Sequence, residues 1–121
     1  MINFEKIIGN KIMAIFEDVD ITNFDEIMGE EFEKKNIVIL KFGAEMCDAC
    51  FALETELEEL EEENDNVSVL LIDCNEAPDV AENYDIQKVP TMIILKDKNT
   101  MIYKDYGVVL ASDIEKIISK V

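Results

Sequence analysis

The apolar run Ile37-Val38-Ile39-Leu40 leads within a few residues into Cys47-Asp48-Ala49-Cys50, and helical periodicity begins directly after it. A strand that delivers this pair to a helix start admits few folds. The first sulfur then sits at a helix N-terminus, where backbone N–H groups lack intrahelical partners and the helix dipole favours negative charge. Both effects stabilise a thiolate, the form of cysteine that attacks disulfides and binds metals.

The rest of the chain supplies a consistent framework. Lys11 to Val19 reads as a first strand, after a short lead-in over residues 1–10 with the character of a helical turn. Thr22 is placed to cap a helix with apolar positions Phe24, Ile27, Met28 and Phe32, ended by Lys34, Lys35 and Asn36. Ile37 to Phe42 is the most continuous apolar run, as a buried central strand requires.

From Asp48 to about Asn64, Cys50, Leu53, Leu57 and Leu60 recur at helical spacing. Glu54, Glu56, Glu58, Glu59, Glu61, Glu62 and Glu63 read as the solvated face of that helix. Val67 to Ile72 is a further strand, Asp73 a strand-end turn residue, and Ala77 to Tyr84 a short helix. Thr91 to Leu95 and Met101 to Tyr106 flank Lys96-Asp97-Lys98-Asn99 as an antiparallel hairpin. Gly107 breaks the second strand, and Ser112 can cap a last helix carrying Ile114, Ile117, Ile118 and Val121. The order β-α-β-α-β-α-β-β-α predicts an α/β protein with a mixed sheet of about five strands. A length of 121 residues suits one domain over 1–121.

Charge and residue usage narrow the chemistry. The 28 acidic residues outnumber 11 basic ones, all lysine, for a formal net charge of −17. Such a field repels phosphate backbones and anionic membranes, and no arginine fork is present to grip phosphate, so neither nucleic acid nor membrane is an expected partner. The charge itself reads chiefly as a solubility device, with steering toward basic partners as the alternative. Nothing in the N-terminal segment has signal-peptide character, and three cysteines make no disulfide scaffold, so a reducing, cytoplasmic setting is expected. Histidine is absent. Chemistry therefore falls to thiols, carboxylates and lysines.

A bare CxxC serves redox exchange, zinc and iron–sulfur clusters alike. Beyond the pair, the chain offers a metal just one more thiol, Cys74, and carboxylates, so no metal is expected and the strand–helix context favours a redox pair. Cys74 itself reads as a small buried hydrophobe at a strand end.

Phe42-Gly43-Ala44-Glu45-Met46-Cys47-Asp48-Ala49-Cys50, Val89-Pro90-Thr91 some forty residues on, and Gly107 before the last helix together resemble the thioredoxin family over about residues 11–121. The resemblance implies the thioredoxin fold, with helices on both faces of the sheet and Pro90 in a cis peptide beside the CxxC. It implies dithiol–disulfide exchange in cell redox homeostasis and electron transport, with no cofactor beyond a redox-active Cys47–Cys50 disulfide. Cys47 would attack and Cys50 would resolve. Met46, Val89, Pro90 and Gly107 would form the docking surface. Disulfide-containing client proteins and a thioredoxin-reductase-type electron donor would be the partners of a monomer.

This chain also departs from the family's pattern. Met46 stands where tryptophan is usual, Asp48-Ala49 replaces Gly-Pro, and Phe51 replaces a basic residue. A carboxylate beside Cys47 disfavours its thiolate. Lys41 takes the place of a buried aspartate that aids proton transfer at the resolving thiol, and Leu71 replaces the lysine that pairs with it. Lys41 either lies under the site and favours a thiolate or snorkels to the surface, and Glu45 is the nearest alternative carboxylate. Thr55 stands near the usual helix-kinking proline, so a straighter helix is expected. A thioredoxin-fold binding module with little turnover, and a metal-binding CxxC domain, are the alternative readings.

Overall fold

The computed structural model describes residues 2–8, 11–16, 21–34 and 36–121, with side chains described from Phe24 onward. Its elements are β1 (Ile2–Ile8), β2 (Lys11–Phe16), α1 (Ile21–Glu33), β3 (Ile37–Gly43), α2 (Asp48–Glu63), β4 (Val67–Asp73), α3 (Pro78–Asn83), β5 (Thr91–Asp97), β6 (Thr100–Tyr106) and α4 (Ala111–Ser119). The strands form one mixed sheet in the order β1-β2-β4-β3-β5-β6. β2, β4 and β3 run parallel, while β5 and β6 continue antiparallel from β3.

β3 lies between β4 and β5, with helices over both faces of the sheet, which is why its sequence is apolar almost throughout. Alternation along the strand sends Val38, Leu40 and Phe42 into the core with Phe24 and Met28 of α1 and Val80 of α3. Ile39 faces the other way, into the core with Leu53 and Leu57 of α2 and Ile114 of α4. Lys41 is two residues after Ile39. The pleat therefore directs it to the α2 side of the sheet, and it is 6% exposed.

Several expectations need correction. Within the lead-in, Ile2–Ile8 is a strand, not a helical turn: β1 pairs antiparallel with β2, giving six strands among the described residues rather than about five. Val19, at the end of the expected first strand, and Lys35 lie outside the described residues. α1 begins at Ile21, so Thr22 is inside the helix and not its cap. Ser112 likewise falls inside α4, whose N-cap is Leu110 with no side-chain hydrogen bond. Glu56 Oε1 accepts instead from Ala111 N at 2.9 Å, so a residue on α2 satisfies a donor at the start of α4.

The acidic face of α2 is also not uniformly solvated. Glu61 is 2% exposed and accepts from Val69 N at 3.0 Å, tying α2 to β4. Helical periodicity identifies Leu53, Leu57 and Leu60 correctly as the buried stripe. It carries no information about which flanking carboxylates meet backbone donors from distant segments.

Candidate active site

Backbone register brings the distant motifs to one end of the sheet. Gly43, the last residue of β3, pairs with Asp73 on β4, while Phe42 pairs with Thr91 on β5 and Thr91 with Tyr106 on β6. The CxxC turn leaves from the end of β3, Val89-Pro90 enters at the start of β5, and Gly107 follows the end of β6.

Between β3 and α2 the chain turns sharply. Met46 has φ 54°, in the left-handed region that a side chain rarely adopts, and its own side chain is 95% exposed. Cys47 then takes extended geometry as the N-cap of α2, and its Sγ accepts from Cys50 N at 3.1 Å. A sulfur in the capping position receives a donor that the helix leaves unsatisfied, which favours negative charge on it. Cys47 and Cys50 are joined as a disulfide. Cys47 is half-buried and Cys50 is 1% exposed, because Cys50 begins the buried stripe of α2. Asp48, the first residue of α2, is exposed.

The Val89–Pro90 peptide is cis. Pro90 is buried, Val89 is partly open, and Gly107 N donates to the Pro90 carbonyl at 2.9 Å. Gly107 has φ 101° and nothing within 4 Å of the place a Cβ would take, so backbone conformation requires the glycine there. Tyr106 is exposed beside it, with the Lys88 ammonium 4.3 Å from its ring centroid. The sheet end thus presents a disulfide with exposed apolar side chains from three separate segments.

Beneath this surface lies a charged pair. Lys41 Nζ is 3.7 Å from Glu54 Oε2, and both side chains are largely shielded from solvent. A Cβ added to Gly43 would lie 2.7 Å from Lys41 Nζ and 3.4 Å from Cys50 Sγ. The ammonium and the buried sulfur therefore flank the space that Gly43 leaves empty. Burial pulls the Lys41 pKa down, while Glu54, Asp73 and Cys74 act in the opposite direction. Lys41 does not snorkel. Across β3 and β4 its register partner is Leu71, so the substitution of both positions leaves Glu54 on α2 as the partner. A cleft of about 250 Å³ opens here, lined among others by Lys41, Gly43, Glu54 and Asp73, with the exposed Glu45 at its edge.

Glu54 is the site residue that the pattern of the sequence concealed. The available signal was its spacing of four from Cys50, which puts the two on one helix face. Cys74 packs against the core on the far side of the sheet end, with its N–H donated to the Gly43 carbonyl at 2.9 Å. Burial, then Asp73, pushes its thiol pKa up, against the pull of Lys41. Thr55, near the place of the usual proline, donates its hydroxyl to the Phe51 carbonyl at 3.1 Å within an unbroken 16-residue helix. Among the described residues no group of three or more histidine, cysteine or acidic side chains is arranged to hold a metal ion, and no helix is long and apolar enough to cross a membrane.

Residues 16–120 match the Thioredoxin family model. A thioredoxin of Chlamydia trachomatis serovar D is 33% identical over 84 residues, 69% of this chain and 81% of that protein. Thioredoxin 2 of Plasmodium falciparum (isolate 3D7) is 28% identical over 88 residues, 72% of this chain and 55% of its own length. Among solved structures, chloroplastic thioredoxin z superposes with a TM-score of 0.72 at 28% identity, covering 84% of this chain and 89% of the other. Fasciola hepatica thioredoxin reaches 0.73 over 88% of this chain and 96% of its own, at an identity of 16% that bears on fold alone.

Proposed function

The chain belongs to the thioredoxin family, and we propose that it reduces disulfides in client proteins, with Cys47 as nucleophile and Cys50 as resolving thiol. Thiol–disulfide oxidoreductase chemistry in general follows from the family and the paired cysteines. The observation that carries the finer reading is the asymmetry of that pair: Cys47 is partly exposed at the helix N-cap, whereas Cys50 is buried.

In the reduced protein the Cys47 thiolate attacks one sulfur of a client disulfide, and the other client sulfur leaves as a thiolate that takes up a proton. Cys50 gives up its proton and displaces the second client sulfur from Cys47, closing the Cys47–Cys50 disulfide. Two electrons pass from the dithiol to the client. A separate protein of the thioredoxin-reductase type returns them. Met46, Val89, Pro90 and Gly107 receive the client chain around the sulfur, and the protein acts as a cytoplasmic monomer. Supporting the docking role, Met46 supplies a flexible, exposed apolar side chain next to the nucleophile.

Cys47→Ser is expected to abolish reduction of a protein disulfide in a coupled assay. Cys50→Ser is expected to arrest the reaction as a mixed disulfide on Cys47, visible by mass spectrometry on a purified disulfide-bonded client. Full activity in Cys47→Ser would defeat this reading.

A further inference from the structure

The geometry points to Lys41 as the positioning residue that governs ionisation of the resolving thiol, acting on Cys50 across the space left by Gly43. This inference rests on the reductase reading and adds a residue to its second step. Three placements carry it. The β3 pleat puts Lys41 on the α2 side, the same side as the buried Cys50. A single point, the Cβ position of Gly43, is 2.7 Å from Nζ and 3.4 Å from Sγ. Glu54, four residues beyond Cys50 on the same helix, anchors the ammonium at 3.7 Å.

Resolution requires Cys50 to lose a proton while buried, and burial opposes the charged thiolate. A neighbouring cation offsets that penalty. The proton passes to solvent, the Cys50 thiolate forms a bond to Cys47 Sγ, the bond from Cys47 to the client sulfur breaks, and the client sulfur leaves as a thiolate. Lys41 keeps its own proton throughout. The charged or titratable groups acting on it are Glu54 from α2 and Asp73 and Cys74 from the end of β4, with Glu45 and Glu76 also lining the cleft. Glycine at position 43 is then explained by function as well as packing: a methyl group there would push the flexible end of Lys41 away from the sulfur, while its contact with Sγ would be ordinary.

The test uses a Cys74→Ala background, so that just the two CxxC thiols react, and an aromatic disulfide whose displaced thiolate is coloured. Stopped-flow mixing gives a first release from attack by Cys47 and a second from resolution by Cys50. Lys41→Met, which keeps the length and removes the charge, is expected to slow the second release about tenfold at neutral pH, equivalent to roughly one pKa unit. It should move the midpoint of that phase's pH profile upward. Gly43→Ala, with Lys41 intact, should shift the profile the same way by a smaller amount, and Lys41→Arg should restore most of the rate. The same order should appear when Cys50 is alkylated with iodoacetamide in Cys47→Ser protein.

Unchanged second-phase profiles in both Lys41→Met and Gly43→Ala overturn the inference while leaving the reductase reading in place. Should Lys41→Met fail to fold by circular dichroism, Gly43→Ala decides alone. Loss of the reductase reading is seen separately, as full activity without Cys47.

Discussion

Lys41 is expensive to keep where it is. Burial makes the folded protein hold its proton less tightly than the unfolded chain does, although Glu54 and Asp73 oppose the effect. Between the lowered folded value and the ordinary 10.5, the unfolded chain binds more protons, so this residue makes stability rise with pH across that window. Below the window the whole cost of burying the ammonium is felt. The double replacement Lys41→Met with Glu54→Leu, which removes both charges of the pair, is therefore expected to be more stable than the parent protein at neutral pH, by on the order of 1 kcal/mol, as when buried ion pairs are replaced by apolar groups. The advantage should shrink as pH climbs toward 10.5. Urea unfolding of both proteins at matched pH values measures it, and a gap that widened with pH would show the sign to be wrong. The paired replacement thus separates two roles, since it should gain stability while removing the cation that speeds resolution.

At the scale of elements, α4 depends on α2 for its start. Leu110 provides no side-chain acceptor, and Glu56 supplies one to Ala111 N at 2.9 Å. Glu56→Ala is expected to destabilise the protein by about 1 kcal/mol, within the usual range for a lost cap, and Glu56→Gln by less because an acceptor oxygen remains. Leu110→Ser should recover a few tenths to about 1 kcal/mol by giving α4 a local cap. Hydrogen exchange at the first turn of α4 would locate the effect, and equal protection in Glu56→Ala and parent would count against it. These contacts also explain what sequence could and could not reveal. The stripe Cys50, Leu53, Leu57 and Leu60 was legible because its spacing reflects one helix packing on one sheet. Glu54, Glu56 and Glu61 were not, because their partners Lys41, Ala111 and Val69 come from elements that adjacency in sequence does not reveal. β1 was missed for a related reason: Ile2-Asn3-Phe4-Glu5-Lys6 alternates only partly, and the strand is defined by pairing with β2. The cysteine pair and Val89-Pro90 stood out individually, whereas their convergence needed the β3–β5 register.

Across the whole molecule, a net charge of −17 on 121 residues acts in two directions. Self-repulsion loosens the folded state, and the same field attracts cationic partners toward the proposed docking surface, where the apolar side chains of Met46 and Val89 are exposed. Salt screens both effects, with a Debye length falling from about 30 Å at 0.01 M to about 10 Å at 0.1 M. Raising ionic strength over that range is therefore expected to stabilise the protein against urea while lowering kcat/KM for a lysine-rich disulfide peptide several-fold. A glutamate-rich peptide of equal length should show the opposite trend in rate, because screening relieves its repulsion. The opposed responses matter because a simple change in folded population would move both peptides together. Parallel behaviour of the two peptides would mean that client choice rests on the apolar contacts around Cys47, with the acidic surface serving solubility alone.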